Sequence, residues 1–179
     1  STVGTVTEVY DFLRLLFAKI GEPVNPHNGR PLQSQSPGQI LDAIDRWEID
    51  EKFMILSPMV RGKKGEHSAV LEKIKKAGFV RIRIDAEVMT LNDDISLDPN
   101  KKHTIEIVVD RLVKKDFSKK FQTLESGQKI EEKNDERMRV IDSIETALKF
   151  GEGVLIAHRI GDEKDFLFSE NLADPETGF

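Results

Sequence analysis

The strict two-residue alternation from Phe79 to Asp85 constrains this chain more than any other feature. Val80, Ile82 and Ile84 fall on one side of an extended segment, and Arg81, Arg83 and Asp85 fall on the other. A strand of that kind needs a sheet with one covered face and leaves arginines on the polar face. Thr104–Val113 is the strongest strand pattern in the chain, and Lys52 to Val60 reads as another, ending at Pro58. Glu87–Leu91 and an acidic loop lie between the Phe79–Asp85 and Thr104–Val113 segments, and Val154–Ile156 with Phe166–Phe168 reads as a closing hairpin.

Helical periods sit between these strands. Thr5-Val6-Thr7-Glu8 has capping-box spacing, and Val9, Leu13, Leu16, Phe17 and Ile20 follow it at helical intervals up to Gly21. Ser36-Pro37-Gly38-Gln39 starts a second helix carrying Ile40, Leu41, Ile44 and Trp47. A third is predicted from Glu66 to Ala77, burying Val70, Leu71 and Ile74 and stopping at Gly78. Met138, Ile141, Ile144 and Leu148 mark a fourth, ended by Gly151. Arg61-Gly62-Lys63-Lys64-Gly65 reads as a basic loop, and residues 114–136, polar and without period, as a mobile insertion. Strands and helices without a regular βαβ rhythm predict the α+β class.

The net charge of −5 over 179 residues conceals strong segregation. Residues 61–84 carry +6 and 100–121 carry +4, while 85–99 carry −5 and 161–179 carry −5. Such blocks are solvated faces or docking surfaces. No stretch approaches the ~20 apolar residues of a membrane span. With no cysteine there is no disulfide, thiol nucleophile or thiolate metal site. The chain opens on Ser1-Thr2-Val3 without a signal region and stops at Gly178-Phe179. It is expected to be a piece of a longer cytoplasmic protein.

Catalytic patterns are missing. His27, His67, His103 and His158 are scattered, form no His-x-x-x-His pair, and are expected to be ordinary surface or cap residues. There is no phosphate-loop motif and no nucleophile elbow, and Gly62-Lys63-Lys64-Gly65 alone is a weak phosphate signal. The cluster Arg61, Lys63, Lys64, Lys73, Lys75, Lys76, Arg81 and Arg83 suits a phosphate backbone by counterion release. Base-stacking aromatics are missing there, since only Phe79 is near and its context suggests core. An acidic protein partner fits the same patch equally well.

Longer strings carry a family likeness. Ser1 to Glu8 with Tyr10 to Ala18, Pro58 to His67, Phe79 to Asp85, Lys101 to Leu112, Ser143 to Leu148 and Leu167 to Asn171 resemble the bacterial excinuclease subunit UvrA, in order, over nearly the whole chain. The resemblance implies a small mixed α/β interaction domain inserted in a damage-recognising ABC-type ATPase. Residues 36–150 would form the UvrB-binding domain. Residues 1–35 and 151–179 would belong to the signature-type domain of the first ATPase half. It further implies UvrB as partner, DNA contacted through the parent, a homodimeric parent, and no membrane. Walker and signature motifs do not occur in this chain, so ATP would bind elsewhere in the parent and the fragment itself would not be an enzyme.

By the same resemblance, Arg81 and Arg111 would face acidic residues of UvrB; Arg83, sharing the polar strand face with Arg81, would be a secondary contributor. Strict alternation sets Arg111 with Ile105, Ile107 and Val109, so a twist or bulge near the strand end is needed to turn it outward. Where the family usually carries zinc-binding cysteine strings, this chain has Asn25-Pro26-His27-Asn28-Gly29 and Asp174-Pro175-Glu176-Thr177-Gly178. Asn, Asp and Glu do not replace thiolates, so no structural zinc and no cofactor is expected.

Overall fold

The computed structural model describes residues 34–92 and 94–171. The first sequence-predicted helix and both strings that stand in place of the zinc ligands lie outside the described residues. Eleven elements follow in order: α1 (Pro37–Asp45), β1 (Lys52–Lys64), α2 (Ser68–Lys76), β2 (Arg81–Ile84), β3 (Glu87–Thr90), β4 (Lys102–Val113), β5 (Phe121–Thr123), β6 (Lys129–Glu131), α3 (Asp135–Phe150), β7 (Val154–Arg159) and β8 (Lys164–Ser169). β5 and β6 form a separate hairpin; the other strands make one antiparallel sheet in the order β3-β2-β4-β1-β7-β8. The α+β expectation holds.

The capping box at Ser36 forms where the sequence placed it, and the one at Thr5 lies outside the described residues. The Ser36 hydroxyl accepts from the Gln39 amide while Gln39 Oε1 accepts from the Ser36 amide, the reciprocal capping box. α1 and α3 lay Ile40, Leu41, Ile44, Val140, Ile144 and Leu148 against Phe53, Ile55, Leu112 and Leu155 of the sheet. α2 lays Val70, Leu71 and Ile74 against Ile82, Ile84, Ile105 and Ile107, and Val109 touches both groups. Burying a side chain of this size contributes roughly 1.5–3 kcal/mol. Gly151 caps α3, and only glycine fits there, because a Cβ would stand 2.1 Å from the Val154 carbonyl oxygen.

Several sequence expectations change. β1 does not end at Pro58 but runs to Lys64, so the basic segment 61–64 is strand, paired with Lys102 and His103. Pro58 is tolerated because β7 pairs only with Phe53 to Leu56. The Lys52 carbonyl accepts from Ile160 on that side, so by alternation the Pro58 nitrogen faces the same way, past the last β7 pair. Residues 114–136 are anchored rather than free: Phe117 is fully buried, and the buried Lys114 pairs with Asp45 at 2.8 Å. Met138 is exposed rather than core. The 154–168 hairpin, set apart in sequence as a return segment, supplies β7, β8 and the core residues Leu155, Ala157 and Phe168.

The sheet is strongly curled. Arg83 of β2 donates to Asp165 of β8, although four strand spacings separate them in sheet order. A flat sheet would place those strands roughly 19 Å apart, beyond the reach of the two side chains. The face without helices is therefore concave, and Met54, Leu56, Val108 and Ile156 are buried within it. Register shifts at Ile55/Leu56, Pro58/Val60 and Val60/Lys63 between β1 and β4 supply the bend.

Candidate partner-binding surface

One of those shifts decides where Arg111 points. Ile55 pairs with Asp110 and Leu56 with Val108, so Val109 is the extra residue of a bulge on β4. Before it, Ile105 and Ile107 face the helices; after it, Leu112 does. Arg111 is thereby turned to the opposite face, exposed and in register with Met54. The bulge that its outward placement requires is present.

Arg81 opens β2 on that same face and is exposed. β2 pairs with β4 only at Ile105, Glu106 and Ile107, so past Ile107 the two strands diverge. The gap is a groove of about 400 Å³ lined by Gly78 to Arg81, Val108 to Arg111, and Arg139 from α3. Arg81 and Arg111, on different strands, thus line one concavity. Among the described residues neither guanidinium has an ion-pair partner.

Arg83 does not join them. Only 5% exposed, it donates through Nε and Nη2 to Glu106 at 3.0 and 2.9 Å, and through Nη1 and Nη2 to Asp165 at 2.9 and 2.7 Å. Four of its five N–H groups are used within the chain. Sequence alternation assigned the correct face, but the curl brings β8 over it, so Arg83 is a structural residue and not an open docking group. Burial opposes its charge, yet its hydrogen bonds to Asp165 and Glu106 raise its pKa well above the usual arginine value. Burial likewise opposes ionisation of Asp165, and Arg83 and His158 outweigh it, holding that carboxyl below its ordinary range.

His103 and His158 also depart from expectation, whereas His67 sits at the N-cap of α2 as expected. His158 is buried, with Nδ1 donating to Asp165 at 2.7 Å and Nε2 3.1 Å from Glu163. His103 is buried between the Asp85 carboxylate, 2.7 Å from Nδ1, and the Asp98 carbonyl, 2.8 Å from Nε2. Two acceptors favour the doubly protonated ring, and the Asp85 hydrogen bond, then that of Asp98, raises the pKa of His103. Among the described residues no group of three or more His, Asp or Glu side chains is arranged to hold a metal ion. His27 lies outside them.

Sequence reasoning missed Arg139. It lies outside the two basic blocks, and only tertiary packing brings α3 to the groove. Its Nη2 donates to Asp110 at 2.9 Å, and that hydrogen bond raises its pKa.

A second basic feature lies at the other end of the β1–β4 ribbon. Lys63 pairs with His103 and Lys64 with Lys102, so the two basic blocks of the sequence meet in register. No helix among the described residues is long and apolar enough to cross a membrane.

The family described as UvrA interaction domain matches residues 35–126, half of the chain. The UvrABC system protein A of Oceanobacillus iheyensis is 47% identical over 179 residues, covering 100% of this chain and 17% of that protein. That of Clostridium acetobutylicum is 48% identical over 99% of this chain and 17% of its own length. The Bacillus subtilis protein is 45% identical over 100% of this chain. The chain spans about a sixth of the length of these curated relatives. A sheet-based α+β body with two arginines converging on one groove, joined to these matches, leads to one conclusion: the chain belongs to the UvrA interaction domain family.

Proposed function

We propose that this chain is the UvrB-docking domain of a UvrA protein, which brings UvrB to damaged DNA in nucleotide excision repair. The observation that carries the reading is the convergence of Arg81 and Arg111 on one groove, both exposed and without ion-pair partners among the described residues. Arginine presents a planar fork of donors that matches a carboxylate, and two such forks on a rigid sheet suit an acidic protein surface. The chain performs no chemistry of its own; ATP hydrolysis and dimerisation belong to the rest of the parent.

The Gln35 amide donates to the Ser169 carbonyl at 3.2 Å, so the two ends of the body lie side by side. That is the geometry of a domain inserted into a host, and it supports an insertion spanning about 35–169. The donor set at 25–29 and 174–178 does not fit zinc, because it offers neither thiolates nor a second imidazole. A pull-down of UvrB by this chain, with Arg81→Ala/Arg111→Ala as control, tests the reading. Retention of UvrB by wild type and its loss in the double variant is expected; equal retention overturns it.

A second reading has its own observation, the joined basic blocks at the ribbon end. Lys63, Lys64, Lys101 and Lys102 there suit a DNA backbone. If DNA is the partner, duplex competes with UvrB at physiological salt, and affinity falls steeply with salt, with log–log slope of roughly −0.9 per phosphate neutralised.

A further inference from the structure

We propose that Arg139 is a third partner-contacting arginine of this groove, set by Asp110 to receive a carboxylate of an acidic protein segment. The inference rests on the docking reading above and adds to it a residue, its positioning group and the chemistry it recognises. Asp110 Oδ1 accepts from Arg139 Nη2 at 2.9 Å and from the Arg111 amide at 2.8 Å. Its Oδ2 accepts from Ser143 Oγ at 2.7 Å and from Arg139 Nε at 3.3 Å. Arg139 and Ser143 stand four residues apart on α3, so one helix face holds this carboxylate from two sides.

The consequence is a fixed guanidinium. Nε and Nη2 are held, while Nη1 has no partner among the described residues, and the side chain remains 59% exposed at the groove. An arginine held through one edge loses less freedom on binding than a free one. Asp110 also occupies the Arg111 amide on the β4 edge that β2 leaves, β1 pairing on the other side, which removes a donor for strand addition there. The partner is accordingly read by side chains.

The lining favours protein over nucleic acid. Val80, 62% exposed, stands with Val108 and Val109 along the groove, and Asp110, its carboxylate paired with Arg139, lines it too. A continuous phosphate backbone cannot avoid that carboxylate and offers the valines nothing, whereas a single carboxylate flanked by apolar side chains can meet an arginine away from Asp110 and cover the valines.

The test titrates UvrB, a fluorescent peptide in which single glutamates alternate with leucines, and a short DNA duplex into the whole chain as wild type, Arg81→Ala, Arg139→Ala and Arg139→Lys. Arg139→Ala is expected to weaken both UvrB and peptide about tenfold with an unchanged unfolding midpoint. Arg139→Lys is expected to weaken them as well, because one ammonium cannot hold Asp110 and face a second carboxylate. Wild-type affinity in Arg139→Ala, with loss in Arg81→Ala, overturns the inference and leaves the docking reading standing. Wild-type affinity in Arg139→Lys overturns the positioning role. If wild type ignores UvrB, the docking reading fails, and the peptide alone decides: its Arg139-dependent binding upholds the inference. No peptide binding, or tighter binding of duplex than of peptide, overturns it.

Discussion

Replacing Arg83 with alanine separates the structural arginine from the two proposed for docking. The substitution leaves Glu106, whose side chain is 5% exposed, without the two hydrogen bonds that hold its charge. It also cuts the tie from β2 to Asp165 on β8 that keeps the sheet curled over Met54, Leu56, Val108 and Ile156. Removing one member of a buried ion pair costs about 3–5 kcal/mol, a large share of a total stability of about 5–15 kcal/mol. At roughly 2–4 °C per kcal/mol for a chain of this size, the midpoint should fall on the order of 10 °C. Thermal and urea unfolding followed by circular dichroism read this directly. Arg81→Ala and Arg111→Ala, made at exposed positions, should stay within about 0.5 kcal/mol of wild type. Adding Glu106→Gln to Arg83→Ala should recover part of the loss, since the stranded charge is gone. An Arg83→Ala chain as stable as wild type would refute the clamp.

The clamp and the His103 pair both contribute to the pH dependence of stability. Asp165 is held below its ordinary value of 3.8, so its contribution is complete above that value and is lost as pH falls through the folded value. His103 is raised above 6.5, so its contribution is complete below that value and is lost as pH rises through the folded one. Urea midpoints across pH should therefore peak between these limits, with His103→Gln flattening the alkaline side and Asp165→Asn the acid side; unchanged slopes in both contradict the assignment. For the metal, elemental analysis of dialysed chain should find well below one zinc per molecule, and stoichiometric zinc would contradict the reading of the 25–29 and 174–178 strings.

Local signals carried much of this architecture. The capping box at Ser36, the alternation at Arg81–Ile84 and the Gly151 stop act within a few residues, and each element formed within a few residues of its sequence limits. Arg81 was legible for the same reason, as the polar side of a short strand. Arg111 was not settled by alternation, because its direction depends on a bulge fixed by pairing with β1. Arg83 was misplaced because burial from its polar side comes from β8, distant in sequence and reached only through the curl. The strand at 61–64 was hidden by glycine and lysine, which favour loops; the partner strand at 102–103 overrides that preference. Phe117 looked like one apolar residue in a polar run, yet it fills the core beside Phe53. Arg139 carried no local signal at all.

The central claim is that two exposed arginines on separate strands form one docking site for UvrB. Calorimetric titration of UvrB into wild type and into Arg81→Ala/Arg111→Ala, with unfolding midpoints measured on the same samples, tests it most directly. Truncating one side of an arginine–carboxylate contact costs about 2–5 kcal/mol when it is desolvated, so the double variant should bind at least about a hundredfold more weakly with its midpoint unchanged. Equal affinity in the two proteins, or a loss of binding that merely follows unfolding, would contradict the claim.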